Sequence, residues 1–189
     1  MSALAFCGIK CYNSRGQVID GMGLARCVVY MAIWGLACFP LGRLFKGMHL
    51  RWDRFPFAAY GWERGGAIYE RTGIRLWKDI APDVSKLFPG IVPKKTLTGG
   101  ADVKTLRDML EETCVAELTH ALLCLTGLAL PLLWPGPGGW WLYAAYALLG
   151  NISFIMIQRY NRPRFQRLLA AMERRERRFA NAGSDTVQQ

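Results

Sequence analysis

The chain has 189 residues, of which 52% are hydrophobic, and it carries a formal net charge of +10. A chain this apolar and this basic fits a membrane protein with basic flanks better than a soluble domain. Nucleic-acid binding is the other common reason for strong positive charge, but no recognisable nucleic-acid-binding motif is present. We therefore predict membrane lipid, and no nucleic acid, as a partner.

The cysteines and histidines of the chain limit which disulfide and metal sites are possible. Six cysteines show no CxxC spacing, and four of them lie in or beside apolar stretches, where a free cysteine acts as a small hydrophobe. Only two histidines are available, His49 and His120. We therefore predict neither a disulfide framework nor a metal site. A single disulfide between Cys7 and Cys11 stays an alternative if that end of the chain is extracytoplasmic.

The first predicted membrane element follows an N-terminal segment of mixed polarity, residues 1–23, which does not resemble a signal peptide. Residues 24–45 predict a transmembrane helix. Its uncharged part, residues 27–42, is slightly short for a bilayer, but Arg26 and Arg43 can extend their charged ends to the two interfaces.

Residues 46–119 predict an interfacial layer on the cytoplasmic side. As far as Leu110 the chain is polar, aromatic and broken by Pro and Gly, which predicts short helices and turns on the membrane surface, since irregular backbone cannot face lipid. Residues 102–119 then predict one amphipathic helix with an apolar stripe formed by Val103, Leu106 and Leu110.

A transmembrane hairpin is predicted over residues 120–158. Residues 121–134 carry no charge, residues 135–139 (PGPGG) predict a tight non-helical turn, and residues 140–158 predict a second span of about 28 Å. Residues 159–178 contain eight Arg and two Glu, and residues 181–189 predict a disordered tail. The fold class predicted is thus an all-α integral membrane protein with about three transmembrane helices. The positive-inside rule places the basic segment 159–189 in the cytoplasm.

Helical spacing draws attention to His120. Thr113, Glu117 and His120 fall on one face of the predicted helix, and Glu117 is close enough in sequence to orient the imidazole as a general base. An acid and a histidine on one helix are more often structural. What favours function here is the hairpin, which would return residues 158–162 to the layer in which His120 lies.

This layout suits acyl transfer to a lipid. A histidine at the membrane boundary can deprotonate a lipid hydroxyl, and arginines can bind the phosphates of acyl-CoA, whose thioester needs no metal or other cofactor. Arg159, Arg162 and Arg164 are candidates for the phosphates, although arginines after a span also anchor it to anionic headgroups. Asn151, inside an apolar span, is either a helix-to-helix contact or a functional amide.

Three blocks resemble a known family. Residues 73–79 (GIRLWKD) followed by Pro82, residues 112–120 (ETCVAELTH), and Asn151 with residues 158–162 (QRYNR) are similar to motifs of the bacterial glycosyl-4,4'-diaponeurosporenoate acyltransferases, which acylate the sugar of a staphyloxanthin-type carotenoid. The resemblance covers residues 62–168. Val115 and Ser153 depart from the arginine and proline expected there, and the Arg-rich tail is not typical of the family.

The resemblance implies a set of site residues: Trp77, Lys78, Asp79, Glu112, Glu117, His120, Asn151, Gln158, Arg159, Tyr160, Asn161 and Arg162. Within it we expect His120 to be the base, Glu117 its orienting partner, and Arg159 and Arg162 the donor-phosphate ligands.

Three further roles are expected within this set. The amide of Asn151 or of Gln158 would stabilise the oxyanion. Glu112 lies about 80° round the helix from His120, so we expect it to pair with Lys78 or with an arginine of the last block. The segment Trp77-Lys78-Asp79 would form the cytoplasmic floor of the site.

The sequence therefore predicts a bacterial inner-membrane acyltransferase, with its site toward the cytoplasm, that moves an acyl chain from acyl-CoA to a hydroxyl of a lipid-linked sugar. Two alternatives stay open: a small membrane methyltransferase using S-adenosylmethionine, and a non-catalytic membrane adaptor. The acceptor lipid, the acyl length and the oligomeric state are not indicated by the sequence.

Overall fold

The computed structural model describes residues 10–12, 18–78 and 102–187, so Asp79 and Pro82 lie outside the described residues. The described chain is helical apart from one antiparallel hairpin, in which β1 (Lys10–Tyr12) pairs with β2 (Val18–Asp20) and Cys11 lies opposite Ile19. The predicted helical class is therefore confirmed.

Three stretches are long and apolar enough to cross a membrane: Gly21–Gly47, Val103–Leu133 and Pro137–Arg178. The first is helix α1 (Gly21–Gly47), which extends the predicted span at both ends. Its apolar side chains are largely exposed, among them Val28 at 52%, Ile33 at 61% and Leu36 at 69%. Such a surface is stable in lipid and unfavourable in water, so the membrane-protein prediction is confirmed.

Short helices follow α1, as predicted for the interfacial segment. A 3-10 helix covers Gly61–Gly66, α2 covers Ala67–Glu70, and α3 covers Ile74–Trp77. Gly66 and Gly73 precede α2 and α3 with positive φ angles of 94° and 69°, which a side chain disfavours.

The predicted junction between the interfacial helix and the membrane is one continuous helix, α4 (Val103–Gly127). Asp102 caps its first turn, since Oδ1 accepts a hydrogen bond of 2.7 Å from the backbone N–H of Thr105. The short helix α5 (Leu130–Leu133) ends this second stretch.

The turn that follows is shorter than predicted. Helix α6 (Pro137–Ala145) already includes Gly138 and Gly139, so only the beginning of residues 135–139 is non-helical. Pro137 is compatible with a helix because the first helical residue needs no backbone N–H donor. A β-carbon on Gly139 would overlap the carbonyl oxygen of Trp134, so only glycine fits there.

The last stretch continues through a π-helical segment (Tyr146–Ile152) into helix α7 (Ser153–Val187). In the π-helical segment the hydrogen bonds span five residues, and the N–H of Ser153 still bonds to the carbonyl of Leu148. Helix α7 reaches Val187, which corrects the disordered tail predicted from residue 181. Its basic, polar composition is compatible with helix because Arg, Glu, Gln and Ala are good helix formers.

The chain forms two compact units. The first comprises Met1–Arg43 and Thr119–Ser153, and in it the hydroxyl of Tyr30 donates to the carbonyl of Thr126 at 2.8 Å. The second comprises Leu44–Leu118 and Phe154–Gln189. Two apolar clusters stabilise the second unit, one formed by Tyr69, Ile74 and Tyr160 and one formed by Leu106, Leu110 and Leu169.

Candidate functional site

In the first unit, His120 of α4 is held by Asn151 of the π-helical segment. The distance between Nδ1 of His120 and Oδ1 of Asn151 is 3.0 Å, and Asn151 is 1% exposed. Nδ2 of Asn151 donates to the carbonyl oxygen of Tyr146, also at 3.0 Å. Because a carbonyl only accepts, the amide nitrogen must face Tyr146 and the amide oxygen must face the imidazole. The neutral ring of His120 therefore carries its proton on Nδ1 and its lone pair on Nε2.

The π-helical segment provides this geometry. Tyr146 and Asn151 are five residues apart, which is the spacing that a π-turn brings together. Gly127 of α4 allows the ring of Tyr146 to approach, since a β-carbon there would lie 2.9 Å from Cε1 of that ring. The contact between α4 and the π-helical segment thus depends on a glycine opposite an aromatic ring.

In the second unit, four charged side chains form one buried chain of ion pairs. Arg159 bonds to Glu63 through Nε at 2.5 Å and to Glu117 through Nη1 at 2.5 Å, and Arg162 bonds to the other oxygen of Glu117 at 2.6 Å. None of the four side chains is more than 12% exposed. The order Glu63, Arg159, Glu117, Arg162 alternates in sign, so the buried charges cancel.

The guanidinium groups of this ion-pair chain also hold the backbone before the 3-10 helix. Arg159 donates to the carbonyls of Pro56 and Ala58, so all five of its N–H donors are used. Arg162 donates to the carbonyl of Phe57 at 2.6 Å and to the hydroxyl of Thr113 at 2.9 Å. The ion-pair chain therefore joins residues 56–63 to α4 and α7.

Glu63 is the member of the ion-pair chain that the sequence analysis missed. Burial alone would raise the pKa of its carboxyl, but hydrogen bonds from Arg159, from Tyr69 and from the backbone N–H of Tyr60 outweigh it, and the pKa is lowered. Burial and the Glu63 carboxylate in turn raise the pKa of Tyr69, whose hydroxyl donates to Glu63 at 2.5 Å. Glu63 lies in the short segment GWERGG (residues 61–66), which has no periodic pattern that would have identified it.

These contacts give Glu117 and Asn151 partners that the sequence did not predict. Glu117 is not the residue that the structure places at Nδ1 of His120: that position belongs to Asn151, and both oxygens of Glu117 accept from arginines. Charged guanidinium donors bind a carboxylate more strongly than a neutral imidazole does. Asn151 accepts from His120 through its amide oxygen and donates one of its two amide N–H groups to Tyr146, so it holds the imidazole in place.

Arg159 and Arg162 also have partners that the sequence did not predict. As donor-phosphate ligands they would have to exchange buried carboxylate partners for phosphate, and breaking a buried pair costs about 3–5 kcal/mol. In the structure both guanidinium groups are held by buried carboxylates, which disfavours the phosphate role, and that role stays a prediction.

The remaining predicted residues are scattered around the second unit. Glu112 accepts a hydrogen bond of 3.0 Å from Lys46, a partner not expected from the sequence, at an exposed position. Trp77 donates to the carbonyl of Thr72 at 3.0 Å and packs against the cluster that contains Tyr160. The other three, all half-buried, are Lys78, Gln158 and Asn161.

Comparison with known proteins gives one consistent result. A family model described as glycosyl-4,4'-diaponeurosporenoate acyltransferase matches residues 53–171. A protein of that name from Staphylococcus aureus strain MRSA252 is 29% identical over 154 residues, which cover 80% of this chain and 91% of the relative. The protein of the same name from strain N315 is 28% identical over 156 residues, with the same coverage. No solved structure matches the chain.

Proposed function

The chain belongs to the glycosyl-4,4'-diaponeurosporenoate acyltransferase family, and on that premise we propose that it transfers an acyl chain from acyl-CoA to a hydroxyl of a lipid-linked sugar, with His120 as the general base. The matched residues 53–171 include His120, Asn151 and the whole ion-pair chain. The family assignment favours acyl transfer over the methyltransferase and adaptor alternatives, because the relatives carry an acyltransferase name.

The observation that carries the proposal is the hydrogen-bonded series from Tyr146 through Asn151 to His120. It fixes the proton on Nδ1, so the basic position of the neutral ring is Nε2. A general base must present such a lone pair to the hydroxyl from which it takes a proton. Asn151 would also stabilise the ring after it gains that proton, because Oδ1 goes on accepting from Nδ1.

The reaction then proceeds in two steps. Nε2 takes the proton of the sugar hydroxyl. At the same time the hydroxyl oxygen forms a bond to the thioester carbonyl carbon, which gives a tetrahedral intermediate. The intermediate collapses with cleavage of the carbon–sulfur bond, and the imidazolium returns the proton to the leaving thiolate of CoA. The thioester is already activated, so base and positioning suffice and the base contributes about 10²- to 10⁴-fold in rate.

The membrane supplies the acceptor in this proposal. A lipid-linked sugar diffuses laterally within the bilayer, and three spanning stretches keep the enzyme in the same plane. The eight arginines among residues 159–178 favour a cytoplasmic position for that part of α7 under the positive-inside rule. We therefore propose a bacterial inner-membrane location with the donor arriving from the cytosol.

The test is acyl transfer by the purified full chain in detergent, supplied with labelled acyl-CoA or labelled S-adenosylmethionine and a glycolipid extract. We expect label from acyl-CoA alone in the lipid product, and a loss of about 10²-fold or more in His120→Ala. The matched control is His49→Ala, which replaces the other histidine and should keep full activity. Full activity in folded His120→Ala would remove the base assignment, and consumption of S-adenosylmethionine would favour the methyltransferase.

A further inference from the structure

A second site lies in the second unit, between the 3-10 helix and α2. A cavity of about 340 Å³ is lined by Trp62, Arg64, Ala67, Ile68 and Arg71. Its volume lies within the range of about 300–1,000 Å³ that is usual for small-molecule sites. The indole of Trp62, the apolar side chains of Ala67 and Ile68, and two arginines line it. This combination suits a ligand with a flat apolar part and a negatively charged part.

The two arginines of the cavity are available for an anion. In the part of the chain that the structure describes, neither Arg64 nor Arg71 forms an ion pair, and both are exposed. Other arginines of the same unit bind carboxylates: Arg51 to Asp53, Arg75 and Arg164 to Glu70, and Arg107 to Glu173. Two guanidinium groups with uncommitted donors at one cavity favour phosphate, which they bind bidentately.

The backbone at Arg64 gives independent support. Arg64 has φ 50° and ψ 43°, and Gly65 and Gly66 follow with φ angles of 64° and 94°. The left-handed region penalises any residue with a β-carbon, and Gly would be more stable there. Residues held in such conformations cluster at ligand sites. The arginine side chain at this position therefore calls for a function beyond the stability of the turn.

Trp62 is held in place but open to solvent. Its ring stacks on Tyr60 at 6.1 Å between centroids and 12° between planes, and it meets Tyr69 edge-on at 6.5 Å. Tyr60 lies under the guanidinium of Arg159, and Tyr69 bonds to Glu63, so both neighbours are fixed by the ion-pair chain. The indole is nevertheless 59% exposed. A fixed, exposed aromatic face is what a nucleotide base stacks on.

We propose that this cavity binds the nucleotide end of the acyl donor, with the adenine on Trp62 and the phosphates on Arg64 and Arg71. The inference rests on the proposed use of acyl-CoA and assigns the donor-phosphate contacts to the exposed Arg64 and Arg71 in place of Arg159 and Arg162. An anionic lipid headgroup offers the same phosphate without a base, so the experiment separates the two sources.

The first measurement is calorimetric binding of adenosine 3',5'-bisphosphate to the purified full chain in detergent. Arg71→Ala and Arg64→Gly should each weaken binding by about tenfold or more, the expected loss of a hydrogen bond to a charged group. Arg64→Gly should also unfold at a temperature equal to or above that of the wild type, because Gly relieves the left-handed strain. Arg174→Ala, which removes an exposed arginine of α7, is the charge-matched control and should bind as the wild type does.

The second measurement compares donors in the transfer assay. For acyl-CoA, Arg64→Gly should raise KM about tenfold with little change in kcat, and for an acyl-pantetheine donor without the nucleotide the variant and the wild type should be equal. Wild-type affinity for the bisphosphate in both variants would overturn the cavity assignment.

Equal binding of inorganic pyrophosphate, or stronger binding to nanodiscs containing phosphatidylglycerol, would overturn the nucleotide assignment in favour of a phosphate or headgroup site. Binding of the bisphosphate at the cavity without any transfer from acyl-CoA would support the cavity and overturn the proposed reaction.

Discussion

In the proposed reaction Asn151 acts through the imidazole that it holds, because its amide oxygen accepts from Nδ1 and leaves Nε2 as the basic nitrogen of His120. Asn151→Ala should lower kcat by about 10- to 100-fold, since an unoriented base loses part of the 10²- to 10⁴-fold that general-base catalysis contributes. In a His120→Ala background the same change should cost nothing further, because residues that act as a unit are not additive. Transfer rates of the two single variants and the double variant measure this directly.

Thermal unfolding provides the control for that cycle. Asn151 is buried, so its replacement by Ala also removes contacts in the first unit. If Asn151 served the fold alone, the activity of every variant would follow its folded fraction, and Asn151→Ala would lower activity equally with and without His120.

Glu117 carries the charge balance of the ion-pair chain. Glu117→Gln keeps the size of the side chain but leaves two buried guanidinium groups opposite a single carboxylate, which should destabilise the protein by about 3–5 kcal/mol. Glu112→Gln, on the same helix, weakens an exposed pair with Lys46 and should cost about 1 kcal/mol or less. Unfolding temperatures in detergent compare the two.

A different result for Glu117→Gln would support the role that helical spacing predicted for Glu117, that of orienting His120. If Glu117→Gln kept the wild-type unfolding temperature and lost transfer activity, Glu117 would act on the chemistry, and the ion-pair chain would not depend on its charge.

The sequence alone singled out His120, Asn151, Glu117 and Arg159 but not their partners. Spacing on a helix shows which side chains share a face, and it does not show which donors compete for a carboxylate. Glu63 comes from a distant, irregular segment, and its presence decides that Arg159 is fully satisfied. Helical spacing alone could therefore not predict that Asn151 contacts His120 and that Glu117 contacts the arginines.

Among the secondary-structure elements, the first turn of α6 leaves no room for a side chain at Gly139. A β-carbon on Gly139 would overlap the carbonyl of Trp134 and approach the Cα of Pro131 at 2.9 Å, and both are backbone atoms that cannot rotate away. Gly139→Ala should destabilise the first unit and lower the yield of folded protein by several-fold. Gly35→Ala, in α1 with nothing within 4 Å, should be neutral or slightly stabilising. Size-exclusion profiles and unfolding temperatures in detergent distinguish the two variants.

Hydropathy predicted the long elements well and their ends less well. Apolar length alone predicted the three spanning stretches, because lipid imposes one requirement on every helix that crosses it. The start of α6 at Pro137 and the continuation of α7 to Val187 were missed, since Pro and polar residues break helices in some positions and are tolerated in others.

For the whole molecule, the ion-pair chain makes stability depend on pH. The pKa of Glu63 is lowered from its ordinary value of 4.5, so its ionised form stabilises the fold above about pH 4.5, and this contribution is lost as the pH falls through the lower, folded-state value. The unfolding temperature should fall steeply below pH 4.5. In Glu63→Gln the protein should be less stable at pH 7, and the difference from wild type should shrink as the pH falls. A constant difference from pH 7 to pH 3 would contradict this.

The tight packing of residues 134–139 also limits how the orientation of the protein in its membrane can be determined. Epitopes or enzymatic reporters are commonly placed in the loop of a transmembrane hairpin, but here Gly139 is enclosed by backbone and only a few residues separate the two stretches. An insertion would separate helices whose contact provides the His120–Asn151 pair. Fusions placed after Val187, at the end of α7, avoid this disturbance and would report directly on which side of the bilayer the arginine-rich end lies.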